Sequence, residues 1–359
     1  MTDCRNHIHS RTTVLAGGAA VGTMLLGGAG AIAQTAAKPK PRLIDIHHHF
    51  FPAELIATTN AYNAKHGSPP VGALFTGLSP EKSIAEMDAN GISTSILSLA
   101  SPKGIWFEAD PKAIPALSRA CNDAGAKIVR DHPGRFGLFA SLPMPDVDAS
   151  LKEVAYAFDT LHADGIGLPT SFGNRWPGDA AFDPLWVELN RRKAMVVFHP
   201  YAPNCCGDLQ PGVAESDLEY PFDTARAFAS LLFGGTLAKY RDVRFTLCHA
   251  GGPLPALSGR IATLSQNARV KLEAIAPDGI EAEVRRMYYD TANGASGPSM
   301  AALLKAVPVS QIMFGTDYPY VTGKQNVAPL EAYGLKADDL AAIERGNAMR
   351  MMPRLRGTV

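Results

Sequence analysis

Leu43-Ile44-Asp45-Ile46-His47-His48-His49-Phe50 is an apolar run of strand length that ends in a cluster of imidazoles. Successive side chains of a strand point to opposite faces, so Asp45, His47 and His49 are expected on one face and Ile46 and His48 on the other. Two imidazoles at the end of a rigid strand converge on one point, and neutral imidazole is the commonest metal ligand among side chains. An isolated His-x-His is read equally well as two hydrogen-bonded polar residues at a strand end. Further ligands have to decide between the two.

Outward from this strand the chain alternates helix and strand. Phe50-Phe51-Pro52 ends the strand, and the stretch from Ala53 to Gly77, rich in Gly, Pro and Asn and weakly periodic, reads as a long loop over its carboxyl end. Ser79-Pro80-Glu81 opens a helix that Gly91 stops, and Thr94 to Leu99 is a short β-branched and apolar strand. Helix Pro111 to Asp131 then leads to strand Phe136 to Leu142, helix Ala149 to His162 to strand Gly165 to Leu168, and helix Pro184 to Arg192 to strand Met195 to His199. Helix Phe222 to Tyr240 leads to strand Arg244 to His249, helical stretches Leu254 to Ala276 and Ile280 to Arg286 to strand Met287 to Asp290, and helix Ser299 to Val307 to strand Gln311 to Phe314. Asp338 to Met351 is a closing helix. Eight strands alternating with helices imply parallel pairing, and the reading is a single-domain α/β fold, a (β/α)8 TIM-type barrel over residues 43 to 359. An open doubly wound sheet is the alternative, weakened because no Gly-x-Gly-x-x-Gly follows the first strand.

The charge balance, 34 Lys and Arg against 34 Asp and Glu with both signs interspersed, argues against a nucleic-acid surface or a polybasic membrane patch. A neutral or small anionic substrate fits better. Residues 1 to 33 read as an export signal: Arg5 and Arg11 form a basic start, Thr12 to Gly30 is apolar, and Ala31-Ile32-Ala33 supplies a small-x-small cleavage site. Six glycines from Gly17 to Gly30 make that run a weak candidate for a permanent membrane span. Ser10-Arg11-Thr12-Thr13 resembles a twin-arginine signal that lacks its second arginine, and the expected location is periplasmic or secreted. Residues 34 to 42, with Lys38-Pro39-Lys40-Pro41, form a leader. Cys121, Cys205, Cys206 and Cys248 show no zinc-ribbon spacing, and a bridge between neighbouring Cys205 and Cys206 would be strained, so free thiols are expected.

In a barrel of this kind the carboxyl ends of the strands share one cup. His199 ends the fifth strand in Val196-Val197-Phe198-His199-Pro200, His249 ends the sixth in Phe245-Thr246-Leu247-Cys248-His249, and Asp317 follows the eighth in Met313-Phe314-Gly315-Thr316-Asp317. With His47 and His49 at the end of the first, these residues occupy equivalent positions, which points to a metal centre.

The same residues resemble the amidohydrolase superfamily, and within it the decarboxylase-like branch that includes aminocarboxymuconate semialdehyde, γ-resorcylate and 6-methylsalicylate decarboxylases. The resemblance runs from Asp45-Ile46-His47-His48-His49 through His249-Ala250-Gly251-Gly252 and Gly259-Arg260-Ile261 to Phe314-Gly315-Thr316-Asp317-Tyr318-Pro319 and Gly346-Asn347-Ala348. It implies that His47, His49, His199 and Asp317 bind one divalent metal, with His249 and Asp317 as the catalytic residues that manage a proton. Binuclear relatives carry a carbamylated lysine at the end of strand four, where this chain has Gly167-Leu168-Pro169. One ion is therefore expected. Three imidazoles and a carboxylate suit Zn²⁺, with Mn²⁺ as the alternative.

The resemblance also places Arg260, eleven residues after His249, where relatives offer an arginine to the neighbouring subunit's site, and so implies a homodimer or a tetramer. A surface helix charge is the plainer reading of Arg260. No arginine lies between Phe50 and Gly77, which argues against a dicarboxylate substrate. Asp290, ending strand seven, is a candidate for orienting substrate or ligand. Asp223 and Thr224 are read as caps of the helix from Phe222, and Trp106, Phe107, Trp176 and Tyr320 as walls of the pocket. The expected activity is non-oxidative decarboxylation of a small aromatic or unsaturated carboxylic acid. Hydrolysis of a lactone or amide is the catalytic alternative, and a metal- or ligand-binding protein without catalysis the alternative from another class.

Overall fold

The computed structural model describes residues 42–100, 111–203, 205–206, 212–265, 271–295 and 297–358. The expected export segment, the leader up to residue 41, Trp106 and Phe107 lie outside the described residues. The strand Leu43–His49 (β1) is buried along its whole length, as a strand covered on both faces must be. It is followed by β2 (Ile92–Ser98), β3 (Phe136–Ser141), β4 (Gly165–Pro169), β5 (Met195–His199), β6 (Arg244–Leu247), β7 (Tyr288–Asp290) and β8 (Ile312–Met313). The strands lie side by side in sequence order and every pairing is parallel.

The chain just past β8 closes the sheet onto β1. Ile46 N donates to Phe314 O at 3.0 Å, Asp317 N to His47 O at 2.8 Å, and His49 N to Tyr318 O at 2.8 Å. These bonds make the fold a (β/α)8 barrel rather than an open sheet. Ile44, Ile46, Ile96, Phe139, Met195, Val197 and Met313 fill its interior, and Met351, Met352 and Leu355 of the C-terminal segment join that cluster. Outside, Trp186, Phe198, Phe228 and Phe245 belong to the larger layer between strands and helices.

Two sequence expectations change. The presumed loop after β1 carries a helix, Ala53–Lys65, and a short turn of helix, Ala73–Thr76. The first of these buries only Leu55 and Thr59, so it has no apolar stripe for periodicity to reveal. The helix expected from Phe222 instead spans Glu215–Phe233 and continues through Pro221. Glu219, Asp223, Thr224 and Ala225 are buried on both sides of the proline, and this packing overrides the missing N–H. Among the described residues no helix is long and apolar enough to cross a membrane.

Candidate active site

The site begins at the seam between β1 and the chain after β8. The carboxylate of Asp45, 0% exposed, accepts from His47 N at 2.9 Å, Thr316 N at 3.0 Å and Thr316 Oγ1 at 2.7 Å. It thereby ties the residue before Asp317 to the strand that carries His47. Pairing of β1 with β2 is irregular between Asp45 and His48, so the simple alternation breaks there. As a result the Asp45 carboxylate lies 3.1 Å from His48 Nδ1, although strict alternation puts the two on opposite faces.

Beyond the seam the expected ligands meet. Nε2 of His47 lies 3.1 Å from Nε2 of His49, and Asp317 Oδ1 is 3.3 Å from the first and 3.0 Å from the second. His199 Nε2 is 3.9 Å from the same oxygen; it is buried and has no hydrogen-bond partner. The other oxygen, Oδ2, lies 3.3 Å from His249 Nε2 and 2.7 Å from Asn293 Nδ2. Donor atoms of His47, His199, His249 and Asp317 all fall within 4.8 Å of one another. Imidazole nitrogens converging on one carboxylate oxygen, one of them buried without a partner, fit a divalent cation.

Electrostatics agree with His199, His49 and Asp317 as donors. Burial works against the charged form of His199 and, with positive charge at His47 nearby, pushes its pKa down to about 3. His49 is lowered too, chiefly by burial. Both are neutral imidazoles with lone pairs to give at neutral pH. Burial alone would raise the pKa of Asp317, but the charge at His47 and the surrounding imidazoles of His199, His249 and His47 hold it well below the usual carboxylate range. For His47 burial is outweighed by facing negative groups and the pKa lies well above the usual value. Burial pushes the neighbouring Cys248 thiol up to about 12, so at neutral pH the attraction comes from Asp290 and Asp317 rather than a thiolate.

Asp290, a candidate for orienting substrate or ligand, stands behind the His47 imidazole. It is 0% exposed; Oδ2 lies 2.8 Å from His47 Nδ1, and Oδ1 accepts from His249 N at 2.8 Å and Ala292 N at 3.1 Å. One carboxylate therefore orients the β1 imidazole and the residue after β6 together. Asp223 is not a cap: it sits inside the helix Glu215–Phe233 and accepts from Thr170 Oγ1, Ser171 Oγ and Trp176 Nε1. Trp176 is thus stitched to that helix rather than set as a free wall. Arg260 is exposed on the helix Leu254–Leu264. The cysteines in the described residues are free thiols. The cluster opens into a cleft of about 940 Å³ whose walls include Tyr220, Phe222, Asn293, Ser299 and Tyr320. Asn293 was not among the expected residues, since nothing in a loop asparagine announces a contact with a carboxylate 24 residues away.

A parallel barrel with imidazoles and a carboxylate gathered at the carboxyl ends of its strands is the frame of a metal-dependent enzyme. The amidohydrolase family model matches residues 44–354, and the chain belongs to that family. It is 36% identical over 329 residues to the decarboxylase yanB of Aspergillus niger, covering 87% of each chain. It is 33% identical over 320 residues to the 6-methylsalicylic acid decarboxylase of Penicillium expansum, covering 88% of this chain and 97% of that one. A dihydroxybenzoic acid decarboxylase from a Polaromonas species, solved with bound manganese and the inhibitor 2-nitroresorcinol, shares the fold with a TM-score of 0.74 at 22% identity, over 88% of this chain and 98% of that one.

The place of Asp290 behind His47 has a measurable consequence. Asp290→Ala leaves every expected ligand in place but is expected to weaken divalent-metal affinity by about 10- to 100-fold, the usual effect of losing a carboxylate that orients a ligating imidazole. Competition against a calibrated chelator reads this directly, and an unchanged affinity contradicts it.

Proposed function

We propose that this chain is a metal-dependent, non-oxidative decarboxylase of a small aromatic carboxylic acid. The observation that carries the reading is the division of the Asp317 carboxylate: Oδ1 faces His47, His49 and His199, while Oδ2 faces His249 across 3.3 Å at the edge of the open cleft. One half of the site is suited to a cation and the other to a proton. Tyr220, Phe222 and Tyr320 add the flat walls an aromatic ring needs, and the decarboxylase relatives support the reaction class.

His47, His49, His199 and Asp317 would hold one divalent ion, Zn²⁺ on the strength of the donor set, with Mn²⁺, the ion in the Polaromonas protein, as the alternative. Bound there, the ion supplies Lewis-acid stabilisation of negative charge on substrate oxygens. The protein's own task is to bring a proton to the ring carbon that loses its carboxylate. An ionised Asp317 only accepts hydrogen bonds, so Nε2 of His249 carries the hydrogen between them. The bond from His249 N to Asp290 holds that residue in place. The carbon–carboxylate bond breaks with its electron pair left on the ring carbon, the pair takes the proton delivered from the His249–Asp317 pair, and CO₂ departs.

Metal-loaded protein given salicylates is expected to release CO₂ and the matching phenol in equal amounts. His249→Asn is expected to keep its metal and lose about 10²-fold or more in kcat, the scale of one positioned acid or base. Hydrolysis of a lactone or amide with the acids left untouched would replace this reading.

The reading extends to a homodimer, or a tetramer of such dimers, in which exposed Arg260 grips the carboxylate in the neighbouring cleft. A mixture of Arg260→Ala and Asp317→Asn chains, each inactive or weak alone, is then expected to regain about one working site per mixed dimer, because one of its clefts receives both intact residues. Activity in a monomer, or mixed dimers that recover nothing, would leave Arg260 an ordinary surface charge.

A further inference from the structure

An ionised carboxylate offers lone pairs on both oxygens and readily grips a cation with the pair of them, unless one oxygen is already engaged. At Asp317 the engaged oxygen is Oδ2, with Asn293 Nδ2 at 2.7 Å and His249 Nε2 at the longer 3.3 Å. Because Asp317 can only accept, the nitrogen end of the Asn293 amide must face it.

Asn293 is held for this contact from behind. Its backbone has φ of 54°, the left-handed region that asparagine tolerates better than most residues. Its N–H donates to Asn326 Oδ1 at 2.9 Å, and Asn326, 1% exposed, donates from Nδ2 to Thr316 O at 2.7 Å. Thr316 immediately precedes Asp317. Donor and carboxylate are therefore referenced to one short frame, Asn293 to Asn326 to Thr316. The Asn293 side chain itself is exposed to the cleft, so filling a core does not account for an amide at this position.

We propose that Asn293 is a positioning residue that keeps the Asp317 carboxylate one-pronged, holding Oδ2 off the metal so that a coordination position stays open for substrate. The inference rests on the metal-dependent reading above and adds to it a division of labour. In that reading His249 turns its proton toward the substrate. Among the described residues Asn293 is then the side-chain donor still on Oδ2. An open position is what separates a catalytic metal site from a structural one.

Asn293→Gly tests this with little backbone strain, since glycine adopts a positive φ freely. The probe is Co²⁺, loaded into the full-length wild-type protein and the variant, and read by its visible absorption, which weakens as the ion gains a ligand. The variant is expected to show weaker absorption, a Co²⁺ affinity equal to or tighter than wild type, and an unchanged melting temperature. With salicylate as substrate, KM is expected to rise about tenfold, with a smaller change in kcat, as the second oxygen competes for the open position. An unchanged Co²⁺ spectrum would overturn the proposal while leaving the decarboxylase reading intact. Loss of Co²⁺ affinity together with the melting temperature would also overturn it, by showing that Asn293 only supports the fold. If wild-type protein takes up no Co²⁺, the metal reading falls, and this inference with it.

Discussion

A carboxylate removed from water is tolerated only where cations or hydrogen-bond donors replace what the solvent supplied, and Asp317, 7% exposed, is such a group. Its surroundings answer that demand from four places in the chain: His47 and His49 on β1, His199 on β5, His249 after β6 and Asn293 after β7. No short segment supplies donors from so many directions. A closed barrel does, because its strands deliver their last residues to one rim. The fold and the buried charge are in this sense one requirement.

Bringing those residues together needs close backbone approach at the seam. A Cβ at Gly315 would lie 2.9 Å from His47 Cβ and 3.2 Å from Asp290 Cβ, so only glycine lets β1, β7 and the end of β8 meet there. Gly252 has the same necessity against Pro221 O, which a Cβ would meet at 2.4 Å. Among the described residues six non-glycine residues have positive φ, and three of them, His249, Asn293 and Asp317, line the cleft. Left-handed backbone is unfavourable for such residues and persists where surrounding contacts over-determine it. Here the contacts are visible, in the Asp290 bond to His249 N, the Asn326 bond to Asn293 N and the His47 bond to Asp317 N.

What could be read from sequence follows from this geometry. The strand-end imidazoles and Asp317 announce themselves, because an apolar run fixes the strand and its last residues must face the cup. The barrel was legible for the same reason, through repeated strands and helices. Asp45, Asp290, Asn293 and Asn326 act by side-chain bonds whose partners lie far along the chain, as from Asp45 to Thr316, and no local pattern encodes such a pairing. The helix Ala53–Lys65 is not legible in the sequence because it presents no apolar stripe. Asp223 reads as a cap because Pro221 reads as a helix breaker, whereas tertiary packing carries the helix through it. The resemblance of the motifs to the amidohydrolases adds what spacing alone does not contain, namely which of the clustered residues to expect as ligands.

The central claim is that one cation completes the charge around Asp317. Its most direct test is a crystal of metal-loaded protein measured above and below the absorption edge of the bound ion. The account predicts a single anomalous peak per chain, enclosed by Nε2 of His47, His49 and His199 and by one oxygen of Asp317. No peak in that position, or two peaks bridged by shared ligands, would contradict it.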